Sequence, residues 1–73
     1  MKDDVTLQLG HRIKALRKQH SLTQEELARR SKVSIKYLQA LEGKTPYNAT
    51  IVTLKKLAVG FEMPLWKLLK FDE

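Results

Sequence analysis

Leu22-Thr-Gln-Glu-Glu-Leu-Ala-Arg-Arg-Ser-Lys-Val-Ser-Ile-Lys-Tyr-Leu-Gln-Ala-Leu-Glu42 is the stretch around which the chain is organised. Helix-start chemistry occurs in it twice. Thr23 is suited to an N-cap, Glu26 stands three residues on to complete a capping box, and Leu22 and Leu27 bracket the start as a hydrophobic staple. Ser34 repeats the arrangement, with Val33 before it and Leu38 after it able to clamp together. The spacing predicts helices over about 23–31 and 34–42, with too few residues between them for a long loop. Two helices joined this tightly cross at a steep angle.

That geometry is a helix-turn-helix, with the unit at about 23–42, and it gives the second helix an outward face. With Leu38 at zero on a helical wheel, Leu41 falls near about 300° and the apolar centre near about 330°. Gln39 (about 100°), Lys36 (about 160°) and Ala40 (about 200°) then point away from the core. A lysine bonds guanine edges, an amide pairs with adenine, and an alanine admits close approach or touches a thymine methyl. The same face is also what a merely solvated amphipathic helix presents.

Seventy-three residues predict one domain, residues 1–73, with a core near the lower limit of self-sufficiency. There is no Cys to supply disulfides or thiolate metal sites. No apolar run approaches membrane-spanning length, and the N-terminus lacks a secretory pattern, so the expectation is a cytoplasmic protein without membrane association. The net charge is +6, and it is unevenly placed. Between Gly10 and Lys56 stand eleven bases against three acids, a net +8, with the remaining acids near the two ends. A basic zone with its acids displaced is the footprint of a nucleic-acid binder, although acidic proteins and anionic membranes also select basic domains.

Outward from the central stretch, Val5, Leu9, Ile13 and Leu16 repeat at helical spacing and predict a first helix from Asp4 to about His20. Arg12, Lys14 and Lys18 lie off that stripe and are expected in water. Arg17 adjoins it, and Glu42 is a candidate partner. Leu27, Ala28 and Ser31 are the expected buried face of the second helix. Gln24 lies at its N-terminus, where free N–H groups favour a phosphate oxygen. Gly43 suits a left-handed stop after the third helix. Lys44 to Ala49 reads as a loop from which Lys44, Thr45, Tyr47 and Asn48 can donate to phosphates, or simply be solvated. Thr50 is the expected cap of a fourth helix with stripe Ile51, Leu54, Leu57, Ala58 and Phe61, and Gly60 marks close packing or fraying. Pro64 suits the first turn of a fifth helix, with Leu65, Leu68 and Leu69 inward. Trp66, off that face, is either a rim residue of the core or, with Phe71, an anchor for another subunit.

The chain resembles the Cro/CI-type, lambda-repressor-like helix-turn-helix family. The likeness runs from Gly10-His-Arg-Ile13 through Leu22-Thr-Gln-Glu-Glu-Leu-Ala28, Val33-Ser34, Tyr37-Leu38 and Leu41-Glu42-Gly-Lys44. It continues through Thr53-Leu-Lys-Lys-Leu-Ala58 and Met63-Pro-Leu-Trp-Lys-Leu-Leu69. The ordered set, rather than any one piece, is specific. The resemblance implies an all-α, compact five-helix domain whose third helix enters the major groove while the second crosses the backbone. By position, Gln24 matches the family's phosphate-binding glutamine, and Ser34, Ile35, Lys36 and Ala40 match base-facing positions, with Tyr37 beside them. Thr23 and the Lys44–Asn48 loop match backbone-contacting segments, and Arg17 and Glu42 an internal ion pair. Three features depart from the pattern. Lys32 stands where the turn usually has Gly, which in a left-handed conformation strains the backbone by about 1 kcal/mol. Glu42 and Gly43 are adjacent where one residue usually intervenes, and Ile35 replaces a commonly polar reader.

These readings predict a sequence-specific double-stranded-DNA-binding transcriptional regulator, a repressor or controller, acting as a homodimer on a pseudo-palindromic operator. Dimerisation is expected through the fifth helix (Leu65, Trp66, Leu69 and Phe71) or the turn between the fourth and fifth. No cofactor, metal or small-molecule ligand is implied. An enzyme is the poorest candidate, because His11 and His20 have neither metal-ligand spacing nor a nucleophile motif around them. The alternative is a protein-interaction adapter or antitoxin using the same fold.

Overall fold

In the computed structural model, which describes residues 5–43 and 48–70, five helices follow one another: α1 Val5–Gln19, α2 Gln24–Ser31, α3 Ile35–Leu41, α4 Ile51–Gly60 and α5 Leu65–Leu68. Each contributes one of the largest fully buried side chains: Ile13, Leu27, Leu38, Leu57 and Leu68 in chain order. The core is therefore where all five helices meet, with α2 packed against both α3 and α4, and α4 also against α5.

The predicted starts are present. Thr23 Oγ1 accepts from the Glu26 N–H at 3.0 Å while the Thr23 N–H donates to Glu26 Oε1 at 2.8 Å, a complete capping box. Leu22 and Leu27 are both buried beneath it. Ser34 Oγ accepts from the Tyr37 N–H, and Thr50 Oγ1 from the Thr53 N–H. Pro64 precedes α5 as its N-cap, with extended backbone, rather than occupying the first turn.

The stops differ from expectation. No described glycine has a positive φ; the left-handed positions are Ser21, Lys32 and Glu62, with φ of 56°, 59° and 59°. Each follows a helix in the same way. Past Lys32, Val33 N–H reaches back to Ala28 C=O at 3.1 Å; past Ser21, Leu22 N–H reaches Arg17 C=O; past Glu62, Met63 N–H reaches Ala58 C=O. These are Schellman stops, each turning the chain so that the next apolar residue (Leu22, Val33 or Met63) faces the core. The glycines serve contact instead. A Cβ on Gly10 would strike the Leu41 carbonyl, and one on Gly60 would strike Ser31 Oγ, so close packing is the role of Gly60. Gly43 does not form the expected left-handed stop; Glu42 before it is right-handed, and the turn closes by Gly43 N–H to Ala40 C=O.

Three more expectations need correction. Val5 and Ile51 have the phase of buried stripes yet are 59% and 61% exposed. Periodicity gives a side chain's direction, not whether another element stands there. Arg12 is not a wet residue. Its Nε donates to Leu68 C=O at 3.1 Å and its Nη2 to Lys67 C=O at 2.7 Å. A four-residue helix leaves its last carbonyls without partners of its own, and Arg12 of α1 supplies them.

Candidate nucleic-acid interface

The packing of α3 on α2 brings the head of α2 beside the outward face of α3. Thr23, Gln24, Glu25, Ile35 and Gln39 line a shallow depression of about 220 Å³ there. Two amides from different helices thus share one concavity. Lys36 and Gln39 are exposed on α3, and Ala40 is half-buried. Ile35 and Tyr37 are half-buried and pack on the core, so each offers only part of its side chain outward. Ser34 is exposed, but its hydroxyl oxygen is already an acceptor in the α3 cap. The outward set of α3 is then a cation, an amide and a small residue, as the helical wheel placed them.

Beneath this face lies a buried carboxylate. The Glu42 side chain is 2% exposed, and that of Arg17 is 12% exposed. Arg17 Nε donates to Glu42 Oε2 at 2.9 Å and Arg17 Nη2 to Glu42 Oε1 at 3.0 Å, a bidentate pair. Arg17 Nη1 donates to Leu22 C=O at 2.9 Å, which ties the stop of α1 to the same group. A further partner is one the sequence did not reveal: Gln24 Nε2 donates to Glu42 Oε1 at 3.0 Å. Gln24 is therefore held from behind by the end of α3. One amide hydrogen and its backbone N–H at the first position of α2 remain to face a ligand. Only separation in sequence concealed this, for a glutamine at the head of one helix and a glutamate at the tail of the next give no local signal.

Other expected contacts lie elsewhere. Asn48 lines a separate groove of about 360 Å³ with Val5, Thr6, Leu9, Ala49, Leu54 and Leu69. Lys44, Thr45 and Tyr47 fall outside the described residues, as does Phe71. Of the expected subunit contacts on α5, Trp66 is 65% exposed while Leu65 and Leu69 are half-buried against the core. His11 and His20 are exposed; His20 Nδ1 lies 2.9 Å from Leu16 C=O, and the ring leans on Phe61. Among the described residues no helix is long and apolar enough to cross a membrane.

A family model described as a helix-turn-helix domain matches residues 10–70. Among solved structures, the wild-type restriction-modification controller protein C.Esp1396I aligns with a TM-score of 0.77 at 26% identity, over 93% of this chain and 96% of that one. No curated protein matches the chain.

Proposed function

We propose, from the premise that this chain belongs to the helix-turn-helix family of Cro/CI type, that it is a transcriptional regulator reading double-stranded DNA with α3. The observation that carries the reading is the shared concavity at the head of α2, where Gln24 and Gln39 meet beside exposed Lys36. Gln24, fixed by Glu42, presents N–H groups to a phosphate and sets the register of the helix on the backbone. Lys36, Gln39 and Ala40 then meet base edges, with Ser34, Ile35 and Tyr37 at the margin. Thr23 and the Lys44–Asn48 segment serve the backbone. The controller with which the chain aligns supports a controller or repressor role.

One such domain makes few base contacts, and two-fold pairing doubles them across half-sites about 34 Å apart. The homodimer would use α5, where an indole 65% in water stands beside Leu65 and Leu69. Trp66→Ala is expected to sediment as a monomer; a variant that stays dimeric moves the interface elsewhere.

Selection of bound sites from a random duplex library tests the reading. A pseudo-palindrome bound with steep salt dependence is the expected result, while weak, unselective retention would favour the adapter or antitoxin. On the selected site, Lys36→Ala should relax preference at one base pair at a cost of about 1–3 kcal/mol. Gln24→Ala should instead weaken every duplex about equally.

A further inference from the structure

The cations of this chain have two fates. Arg12 and Arg17 are spent inside the fold on carbonyls and on Glu42. Arg30, Lys32, Lys55 and Lys56 converge around a depression of about 250 Å³ between the end of α2 and α4, with Ser31 and Val59 completing its lining. No acid lines it. None of the four makes an ion pair or side-chain hydrogen bond among the described residues, and Arg30 acts on Glu26 only through space.

The α4 side of this surface has a pattern. With Val52 at zero, Lys56 lies near about 40°, Val59 near about 340° and Lys55 near about 300°, so all four share one outward arc. Val52 and Val59 are 63% and 59% exposed and stand two turns apart, about 10 Å. The strip reads valine, paired lysines, valine. Lys32 adds a second oddity. Its backbone is left-handed, where glycine would be unstrained, yet the residue is a lysine whose side chain lines the depression. Like charges gathered without counter-charges, next to bare aliphatic side chains, raise the free energy of the isolated domain. A partner with carboxylates and apolar anchors relieves both.

We propose that this face docks an acidic amphipathic segment of a partner protein, with two apolar side chains two helical turns apart and carboxylates between them. The surface lies at the opposite end of α2 from Gln24, so one domain can hold such a segment while α3 faces elsewhere. Duplex DNA fits less well, because phosphates satisfy the cations but leave Val52 and Val59 in water.

Two peptides of about fifteen residues and identical composition test this on the full chain. In one, leucines stand seven positions apart on one helix face with glutamates between; in the other, the same leucines are on opposite faces. The first is expected to bind about tenfold tighter by fluorescence anisotropy, with amide shifts gathered at Arg30, Lys32, Val52, Lys55, Lys56 and Val59. Lys55→Glu/Lys56→Glu should abolish that binding with an unchanged thermal midpoint, and Val59→Ser should weaken it several-fold. Equal affinity for both peptides, or shifts centred on α3, overturns the proposal. So does a Lys55→Glu/Lys56→Glu variant that weakens duplex binding as much as Gln24→Ala, which would make the face a DNA contact. Operator binding left unchanged by α3 variants, with peptide binding intact, would sink only the DNA-reading proposal.

Discussion

The two ends of α2 handle charge in opposite ways. At its head a buried carboxylate, Glu42, is answered by three side-chain N–H donors from Arg17 and Gln24. At its tail four cations face water with no acid among them. The difference teaches that formal charge must be divided before it is read. Of the eleven bases between Gly10 and Lys56, Arg17 is a structural member of the core boundary, and Arg12 belongs to the seam between α1 and α5. What remains for a partner is smaller than the count, and four of those cations gather at one place, between the end of α2 and α4.

The strongest way to break this contrast is to remove a cation from each end. Arg17→Ala would strand Glu42, whose side chain is 2% exposed, without its counter-charge. The expected cost is about 3–5 kcal/mol. Lys55→Ala removes an exposed charge with no fixed partner, and should stay within about 0.5 kcal/mol of the parent. Urea unfolding of both variants measures the difference as a shift in midpoint at constant slope. A loss of that size approaches the whole stability of a small domain, so Arg17→Lys provides the milder form. It keeps the charge but not the fork, and should fall between the other two. Equal midpoints for Arg17→Ala and Lys55→Ala would mean that the two ends do not differ.

A smaller effect sharpens the contrast at the tail. Lys32 holds a left-handed backbone that glycine adopts freely, with φ 59° and ψ 40°. Lys32→Gly should therefore raise stability by about 1 kcal/mol while removing one of the four cations around the depression. Stability and affinity for the acidic peptide would move in opposite directions, an outcome that general damage to the fold cannot produce. If the variant is less stable than the parent, Lys32 is held by something more than the turn.

Lys32 also shows where reading the sequence succeeds and where it stops. The caps at Thr23, Ser34 and Thr50 were legible because a cap joins residues three apart, and the five helices followed from local spacing. The left-handed stops were legible only in part. What fixes Ser21, Lys32 and Glu62 is the need to bury Leu22, Val33 and Met63 one residue later, and glycine, the usual signal, is used elsewhere. Gly10 and Gly60 stand where helix backbones and small side chains meet, a demand set by tertiary packing. The candidate site divides in the same way. The outward set Lys36, Gln39 and Ala40 came from one helix's wheel, and Arg17 with Glu42 from an apolar stripe. Arg12 to Lys67 and Leu68, and Gln24 to Glu42, join residues 55, 56 and 18 positions apart, beyond any local pattern.

The smallest effect lies at the head of α2, in the capping box that sets the angle at which Gln24 is presented. The Glu26 carboxyl is held below the ordinary glutamate range, first because the Thr23 N–H donates to it. Desolvation opposes the shift, while the Thr23 hydroxyl and the charges of Arg29 and Arg30 assist it. A group that binds its proton less readily when folded adds stability above its unfolded pKa, and that stability is lost as pH falls through the folded value. The cap should therefore weaken only below the ordinary glutamate range, in the acid limb of the stability profile. Glu26→Gln keeps a side-chain oxygen for the Thr23 N–H but cannot titrate, so its profile should be flatter there than the parent's. Carbon-13 titration of the Glu26 carboxyl checks the same point directly. A midpoint at the ordinary value, with an acid limb identical in parent and variant, would mean that the box does not persist in solution and that Gln24 is positioned by Glu42 alone.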